Sequence, residues 1–233
     1  MNFFQERKVE NLFNELSQRY DLLNDLLSFG LHRVWKKKLL SFVRPIPGER
    51  WIDLCCGTGD LTLGLARLVK PDGEVFGVDY AKKTLLIARE RALKEPWLSI
   101  KWMENDIAQL DLGSECFDGA VMSYGLRNLD DPFIGLQVIY DLLKPNARAG
   151  ILDFRVHKKK TFSSWFQKNY LRKIVIPIAS KFSLSKHYEY LEESLKSFPD
   201  GPTQKELAKK VGFNQASYYL LAGGQMGILL LER

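Results

Sequence analysis

From about residue 50 onward, short apolar runs and amphipathic stretches take turns along the chain. Residues 50–54 (RWIDL) form an apolar run of strand length. Residues 60–70 follow with Leu61, Leu65 and Leu68 at helical spacing, and Pro71-Asp72-Gly73 stops them as a turn. The same reading predicts a strand at 74–79, a helix at 81–94 and strands at 99–104 and 117–123. A helix from about 132 to 144, ended by Pro145-Asn146, and a fifth strand at 148–154 complete the run. The alternation then fails over residues 157–197, a basic stretch that holds Trp165, Phe166, Tyr170, Phe182, Tyr188 and Tyr190. A helix at 203–210 and strands at 216–221 and 226–231 resume it. Before the first strand, residues 5–44 read as amphipathic helices with Leu12, Phe13, Leu16 and Tyr20 on one face. Strands alternating with helices predict an α/β fold, a mostly parallel seven-stranded sheet with helices on both faces. We expect one domain over residues 1–233, with a helical cap at 1–45 and a helical insertion at 156–200 between strands five and six.

Composition narrows the setting. A chain of 233 residues can bury the core of one α/β domain. No apolar run approaches the roughly 20 residues of a membrane-spanning helix. The first ten residues carry Glu6 and Glu10 and lack an apolar centre, so they read as neither a secretory signal nor a transit peptide. Cys55, Cys56 and Cys116 form no disulfide framework and, with His32, His157 and His187, no metal-ligand spacing; no metal is expected. Buried, inert thiols in a reducing compartment are the plain reading. The net charge of +6 comes partly from short clusters, Lys36-Lys37-Lys38, Lys158-Lys159-Lys160 and Lys209-Lys210. No RNA-binding signature accompanies them, so they read as solvated faces or contacts to an anionic membrane, not as a nucleic-acid groove.

The residues that carry chemistry stand at strand ends. Asp53-Leu54-Cys55-Cys56-Gly57-Thr58-Gly59-Asp60 joins the first strand to a helix. Its glycines permit a tight turn and close backbone approach where a helix N-terminus offers unpaired N–H groups. The third glycine of a dinucleotide turn would fall at Thr62. An acidic residue followed by Gly-x-Gly instead fits the nucleoside-and-amino-acid pocket of Rossmann-like class I methyltransferases. Asp79, followed by Tyr80, ends the second strand twenty residues after Gly59, where it can accept both ribose hydroxyls; a helix N-cap is the competing reading. Asp106, just past the third strand, can take an adenine amino group or serve as a cap. Ser123-Tyr124-Gly125-Leu126-Arg127-Asn128 lies at the end of the fourth strand, where ligands of open sheets bind. It lacks the Asn/Asp-Pro-Pro-aromatic box of amine methylation. Asp131-Pro132-Phe133 reads as a helix cap with Pro at the first helical position. For Arg127 the alternative is a surface ion pair, and the three histidines read first as structural.

Residues 20–36 (YDLLNDLLSFGLHRVWK) resemble a signature of the ubiquinone/menaquinone biosynthesis C-methyltransferases. Gly57-Thr58-Gly59-Asp60-Leu61-Thr62, Tyr124-Gly125-Leu126-Arg127-Asn128, Leu143-Lys144-Pro145 and Tyr190-Leu191-Glu192-Glu193-Ser194 with Phe198-Pro199 match the same family. The likeness runs from about residue 11 to the end. Ile151-Leu152-Asp153-Phe154 and residues 222–227 look most like its cyanobacterial and plastid branch, which methylates demethylphylloquinol. Two places depart from the family pattern: Asn146-Ala147 replaces a Gly-Gly turn, and Leu110-Asp111-Leu112 replaces Leu-Pro-Phe.

The resemblance implies S-adenosylmethionine as cofactor, bound at Thr58, Asp79, Asp106, Ile107 and Ser123, with Asp53, Gly57, Gly59 and Tyr80 completing the pocket. It implies a prenylated naphthoquinol as substrate, peripheral contact with the membrane, and a plastid or bacterial-cytoplasmic setting; it leaves a homodimer open. A menaquinol- or ubiquinone-pathway substrate is the alternative within the family, and a nucleic-acid or protein methyltransferase the alternative outside it. Methylating a ring carbon needs phenolate character, which Arg127 suits as a permanent cation; a water relayed by Arg127 and Asn128, or His32, would take the proton.

Overall fold

The computed structural model describes residues 28, 30–156 and 193–233. The predicted helices ahead of Ser28 and most of the insertion, with His157 and His187, lie outside the described residues.

Five α-helices and seven strands are described: α1 (His32–Val43), β1 (Arg50–Leu54), α2 (Asp60–Val69), β2 (Glu74–Asp79), α3 (Lys82–Ala92), β3 (Ile100–Glu104), β4 (Phe117–Ser123), α4 (Pro132–Leu142), β5 (Leu143–Phe154), α5 (Gly201–Val211), β6 (Gln215–Leu221) and β7 (Met226–Glu232). The strands form one sheet in the order β3-β2-β1-β4-β5-β7-β6. β1 to β5 run parallel to one another, and β7 runs antiparallel to both β5 and β6. The expected mostly parallel seven-stranded sheet is therefore present.

Strand residues alternate between the two faces, and each face builds its own core. Trp51, Val75 and Val121 pack with Leu39, Leu40, Leu61 and Leu65 from α1 and α2. Ile52, Phe76, Ala120 and Met122 pack with Leu136, Ile139 and Ala208 from α4 and α5. Alternation is replaced by near-continuous burial in β1, β2 and β4, as expected of parallel strands covered on both sides.

Two local readings change. α4 stops at Leu142, and the chain enters β5 at once instead of turning at Pro145-Asn146. Phe117 pairs with Leu143 and Gly119 with Arg148, so the extra residues of β5 bulge out. Asn146 occupies a left-handed φ of 63°, which asparagine tolerates better than most residues, so it can stand where the family has glycine. Its N–H donates to the Arg233 carbonyl, and Arg233 N–H returns a bond to Ala147. The cap at Asp131 is as read: its carboxylate accepts the Phe133 N–H at 2.8 Å with Pro132 following.

Candidate functional site

The strand order reverses between β1 and β4, since β2 and β3 extend to one side and β5 to the other. In open α/β sheets this crevice, outside the carboxyl ends of the strands, is where ligands bind. Across it the ends of five neighbouring strands present Asp106, Asp79, Asp53, Ser123 and Asp153 in spatial order. From β3 to β4 is three strand spacings, about 14 Å, the extent of a nucleoside joined to an amino acid.

The glycine turn is built for close approach. Cys55 has φ 56°, Gly57 φ 55° and Gly59 φ 82°, so the chain reverses sharply before α2 begins. The two cysteines thus lie in the turn. Burial pushes both thiols well above their ordinary range, with Asp79 and Asp53 adding to the effect. A Cβ on Gly59 would stand 2.7 Å from Trp102 Cη2 and 3.1 Å from Ala88, so the turn is clamped against β3 and α3.

Asp79 does more than cap. Its Oδ2 accepts the Gly57 N–H at 2.8 Å, and its Oδ1 accepts the Ala81 N–H at 2.9 Å. The carboxylate therefore ties the end of β2 to the glycine turn, and the residue capping α3 is Ala81. Burial raises its pKa to about 6, against which the Ala81, Gly57 and Tyr80 backbone bonds pull down. These three backbone donors leave one of the carboxylate's four acceptor sites for a hydroxyl donor. Asp53 is buried below the turn, accepting the Thr62 hydroxyl through Oδ2 at 2.6 Å. Among the described residues its Oδ1 is buried without a hydrogen-bond partner. Desolvation lifts its pKa to about 7. Asp106 realises its cap reading: Oδ1 accepts the Ala108 N–H at 3.0 Å, opening the short turn Ile107–Gln109. Ile107 is buried, Ser123 half-buried at the end of β4, and Tyr80 half-buried beside Asp79.

A network invisible to the motif reading fastens the turn from outside. Arg91 of α3 donates from Nη1 to both the carbonyl and the hydroxyl of Thr58, each at 3.1 Å, and from Nη2 to Asp60 Oδ1. Lys36 of α1 donates to Asp60 Oδ2 at 2.9 Å. These two cations, Lys36 first, hold the Asp60 carboxyl well below its ordinary range against the opposing desolvation. Lys36 is thus buried, which corrects its reading as part of a solvated cluster; Lys37 and Lys38 are exposed. The signal was available, because His32, Lys36, Leu39, Leu40 and Val43 share the buried stripe of α1.

The three residues read as catalytic fall in two places. His32 is buried in α1, its Nδ1 3.0 Å from Ser28 Oγ and its Nε2 3.9 Å from Asp60 Oδ2. Arg127 and Asn128 lie in a short 3-10 turn, Leu126–Asn128, just past β4. Arg127 Nη1 and Asn128 Nδ2 both donate to the carbonyl of Tyr124, at 2.7 and 3.1 Å. Gly125 precedes this turn. Its φ of −101° is open to any residue, but a Cβ there would lie 2.6 Å from Cys55 Sγ. Arg127 makes an ion pair, yet a buried one rather than the surface pair weighed above: Nη1 lies 2.8 Å from Asp153 Oδ1, and the two side chains are 11% and 5% exposed.

This arrangement meets a clear likeness among known proteins. The model of the ubiE/COQ5 methyltransferase family matches residues 1–230. The chain belongs to that family. It is an S-adenosylmethionine-dependent methyltransferase. A 2-phytyl-1,4-naphtoquinone methyltransferase of Nostoc sp. is 42% identical over 227 residues, covering 97% of this chain and 99% of that relative. A chloroplastic 2-phytyl-1,4-beta-naphthoquinone methyltransferase of Arabidopsis thaliana is 36% identical, covering 98% and 87%. Among solved structures, a SAM-dependent methyltransferase from Aquifex aeolicus has a TM-score of 0.62 at 14% identity, covering 84% of this methyltransferase and 88% of that chain. Phosphoethanolamine N-methyltransferase 2 of Haemonchus contortus, in complex with S-adenosyl-L-methionine, has a TM-score of 0.66 at 15% identity, covering 95% and 60%. At those identities the likeness is one of fold. Among the described residues no cluster of His, Cys, Asp and Glu could hold a metal ion, and no helix is long and apolar enough to cross a membrane.

Proposed function

We propose that this methyltransferase C-methylates the ring of 2-phytyl-1,4-naphthoquinol, a step that makes phylloquinol. The observation that carries the reading is identity of about 40% over nearly the whole chain with cyanobacterial relatives named for that naphthoquinone, and of 36% with a chloroplastic one.

The residues at the crevice fit S-adenosylmethionine, which when bound supplies an electrophilic methyl group. Asp79 would accept a ribose hydroxyl at its remaining acceptor site, with Tyr80 beside it. Asp106 Oδ2 takes the adenine amino group with Ile107 against the ring. Gly57, Thr58 and Gly59 cradle the amino-acid portion from the turn, and the unpartnered, buried Oδ1 of Asp53 suits its ammonium. Ser123, at the end of β4, would face the methyl group.

Catalysis needs an ionised quinol hydroxyl. With a phenol-like pKa of about 10, ionisation at pH 7 costs about 4 kcal/mol. One preorganised donor aimed at a developing oxyanion contributes roughly 2.7–4 kcal/mol, so a single well-held group is enough. Arg127 fills that role. Because Asp153 neutralises much of its charge, it acts as an oriented N–H donor more than as a free cation. Asn128, anchored on the same Tyr124 carbonyl, orients the water that takes the hydroxyl proton, with His32 the alternative base; once the methyl has bonded to the ring carbon, the displaced ring proton leaves to water and the ring regains its aromaticity. Holding methyl and carbon in line contributes up to about 7–11 kcal/mol more.

A prenylated substrate resides in lipid, so we place the enzyme at a membrane surface, docked through the basic, aromatic stretch of residues 158–182, in a plastid stroma or a bacterial cytoplasm. Salt-sensitive flotation with anionic liposomes is expected; no binding at low salt refutes the docking. The function itself is tested with labelled S-adenosylmethionine offered 2-phytyl-1,4-naphthoquinol, demethylmenaquinol and RNA. Methylation of the phytyl compound at the highest kcat/KM is expected, and preference for either other substrate overturns the assignment. In the same assay, Arg127→Ala lowers single-turnover rate about 100- to 1000-fold with cofactor affinity little changed. A normal rate moves the catalytic role to His32.

A further inference from the structure

The row of strand ends runs one strand past the cofactor side. Asp106, Asp79, Asp53 and Ser123 end β3, β2, β1 and β4, and Asp153 near the end of β5 follows next in space. It is nearly fully buried, at 4% exposure. Its Oδ1 accepts Arg127 Nη1 at 2.8 Å and the Phe154 N–H at 2.8 Å, while Oδ2 accepts the Arg127 backbone N–H at 3.2 Å. One carboxylate therefore grips Arg127 at both ends, backbone and guanidinium.

The rest of the cage holds the group in its plane. Arg127 Nη1 also donates to the Tyr124 carbonyl at 2.7 Å. The guanidinium carbon lies 5.3 Å from the centre of the Phe154 ring and 5.8 Å from that of Tyr124, and the two rings are themselves 5.8 Å apart. Tyr124 adopts a φ of 61°, and its N–H bonds the Leu152 carbonyl at 2.8 Å, so β5 also fixes the start of the Arg127 turn. Guanidinium cannot discharge itself when its partner is removed. Without Asp153 the cation would be driven to seek water, away from this orientation.

We propose that Asp153 is the positioning residue for Arg127, a carboxylate across the β4–β5 step that holds the guanidinium in one orientation toward the reacting ring. The inference rests on Arg127 acting on the substrate, as proposed above. A pair of near-zero net charge also explains why the planar fork matters: what the site offers is direction, which a lysine at 127 would not reproduce.

The test is a double-mutant cycle on the full chain, read as single-turnover methyl transfer from labelled S-adenosylmethionine to 2-phytyl-1,4-naphthoquinol in detergent. S-adenosylhomocysteine titration and circular dichroism are measured on each variant. Asp153→Asn keeps the shape and removes the charge. It is expected to slow transfer roughly 30- to 100-fold, as a displacement of about 1 Å at a reacting group does, with S-adenosylhomocysteine affinity within about twofold. On an Arg127→Ala background the same change should cost nothing further, because Asp153 acts through Arg127 alone. A wild-type rate in Asp153→Asn overturns the proposal, and so does an equal loss in both backgrounds, the mark of a purely structural carboxylate. A wild-type rate in Arg127→Ala, which leaves Asp153 intact, overturns the catalytic reading of Arg127 first and this inference with it. Should Asp153→Asn fail to fold, Asp153→Glu keeps the charge and shifts the guanidinium by about one methylene. It should slow transfer at least about tenfold without a comparable rise in KM, and unchanged turnover overturns the proposal.

Discussion

Cofactor binding should weaken as pH falls through 6, and the Asp79 carboxyl should set that part of the fall. Asp79 has a pKa of about 6 because burial disfavours its charged form, and the Ala81, Gly57 and Tyr80 backbone bonds recover only part of that cost. A ribose diol donates to a carboxylate, so the ligand selects the ionised form. At pH 7 that form dominates. At pH 5 about a tenth of the group is ionised, which weakens affinity about tenfold, or about 1.4 kcal/mol. Calorimetric titration with S-adenosylhomocysteine from pH 7 to pH 5 should show this fall, with a midpoint near 6. Asp79→Asn should remove the fall centred near 6, leaving only that of Asp53 near 7, and weaken binding at pH 7 by about 1.5–3 kcal/mol, the range for a hydrogen bond to a charged group. Asp53, near 7, titrates close by; the fall near pH 6 should persist in Asp53→Asn. Titration of Asp79 does not itself promote unfolding, because the same group acts on stability in the opposite direction. Its folded pKa lies above the ordinary 3.8, so the fold prefers it neutral. The penalty, on the order of 3 kcal/mol, is present above about pH 6 and is relieved as pH falls toward 4. Affinity should drop while this contribution to stability improves. A flat wild-type profile, or an identical fall in Asp79→Asn, would refute the reasoning.

Two further outcomes follow from the cofactor turn. Gly59→Ala places a side chain at φ 82° and 2.7 Å from Trp102. Left-handed strain of about 1–2 kcal/mol plus overpacking of about 1–3 kcal/mol should lower stability by about 2–5 kcal/mol in chemical denaturation, and an unchanged midpoint contradicts the clamped turn. Arg91→Ala removes the donors to Thr58 and Asp60 from a side chain that is one-third exposed, so solvent screens part of the loss. S-adenosylhomocysteine affinity should fall several-fold, with only partial recovery in Arg91→Lys, since a lysine cannot span both partners. A folded Arg91→Ala with wild-type affinity excludes a role in holding the turn.

Much of this molecule is legible along the chain, because the local signals are strong and agree. Short apolar runs and period-3.6 patterns locate the strands and helices from residue 50 to 142, and the Asp131-Pro132 cap is correct to the residue. The chemistry at strand ends was also readable, since parallel strands put their carboxyl ends on one side whatever their order. Asp53, Asp79, Asp106 and Ser123 could therefore be assigned to one crevice before any coordinates. What periodicity cannot encode is which distant groups meet. Asp153 lies 26 residues from Arg127, and Lys36 lies 24 from Asp60. Only the β4–β5 pairing and the packing of α1 on α2 make those partners. Once buried, each charge must find its counterpart, because an unpaired ion in the interior costs several kcal/mol. The same physics moved the strand boundary at Leu143. Local residues Pro145 and Asn146 favour a turn, but the edge of β4 and the Arg233 backbone supply hydrogen-bond partners, so the chain runs on as a bulged strand. Nor does periodicity show why residue 125 is glycine: the Cys55 side chain occupies the place where its Cβ would stand. Sequence determined the elements and the crevice they create; tertiary contact decided which charges are paired inside it, because pairing depends on proximity that only the folded sheet provides.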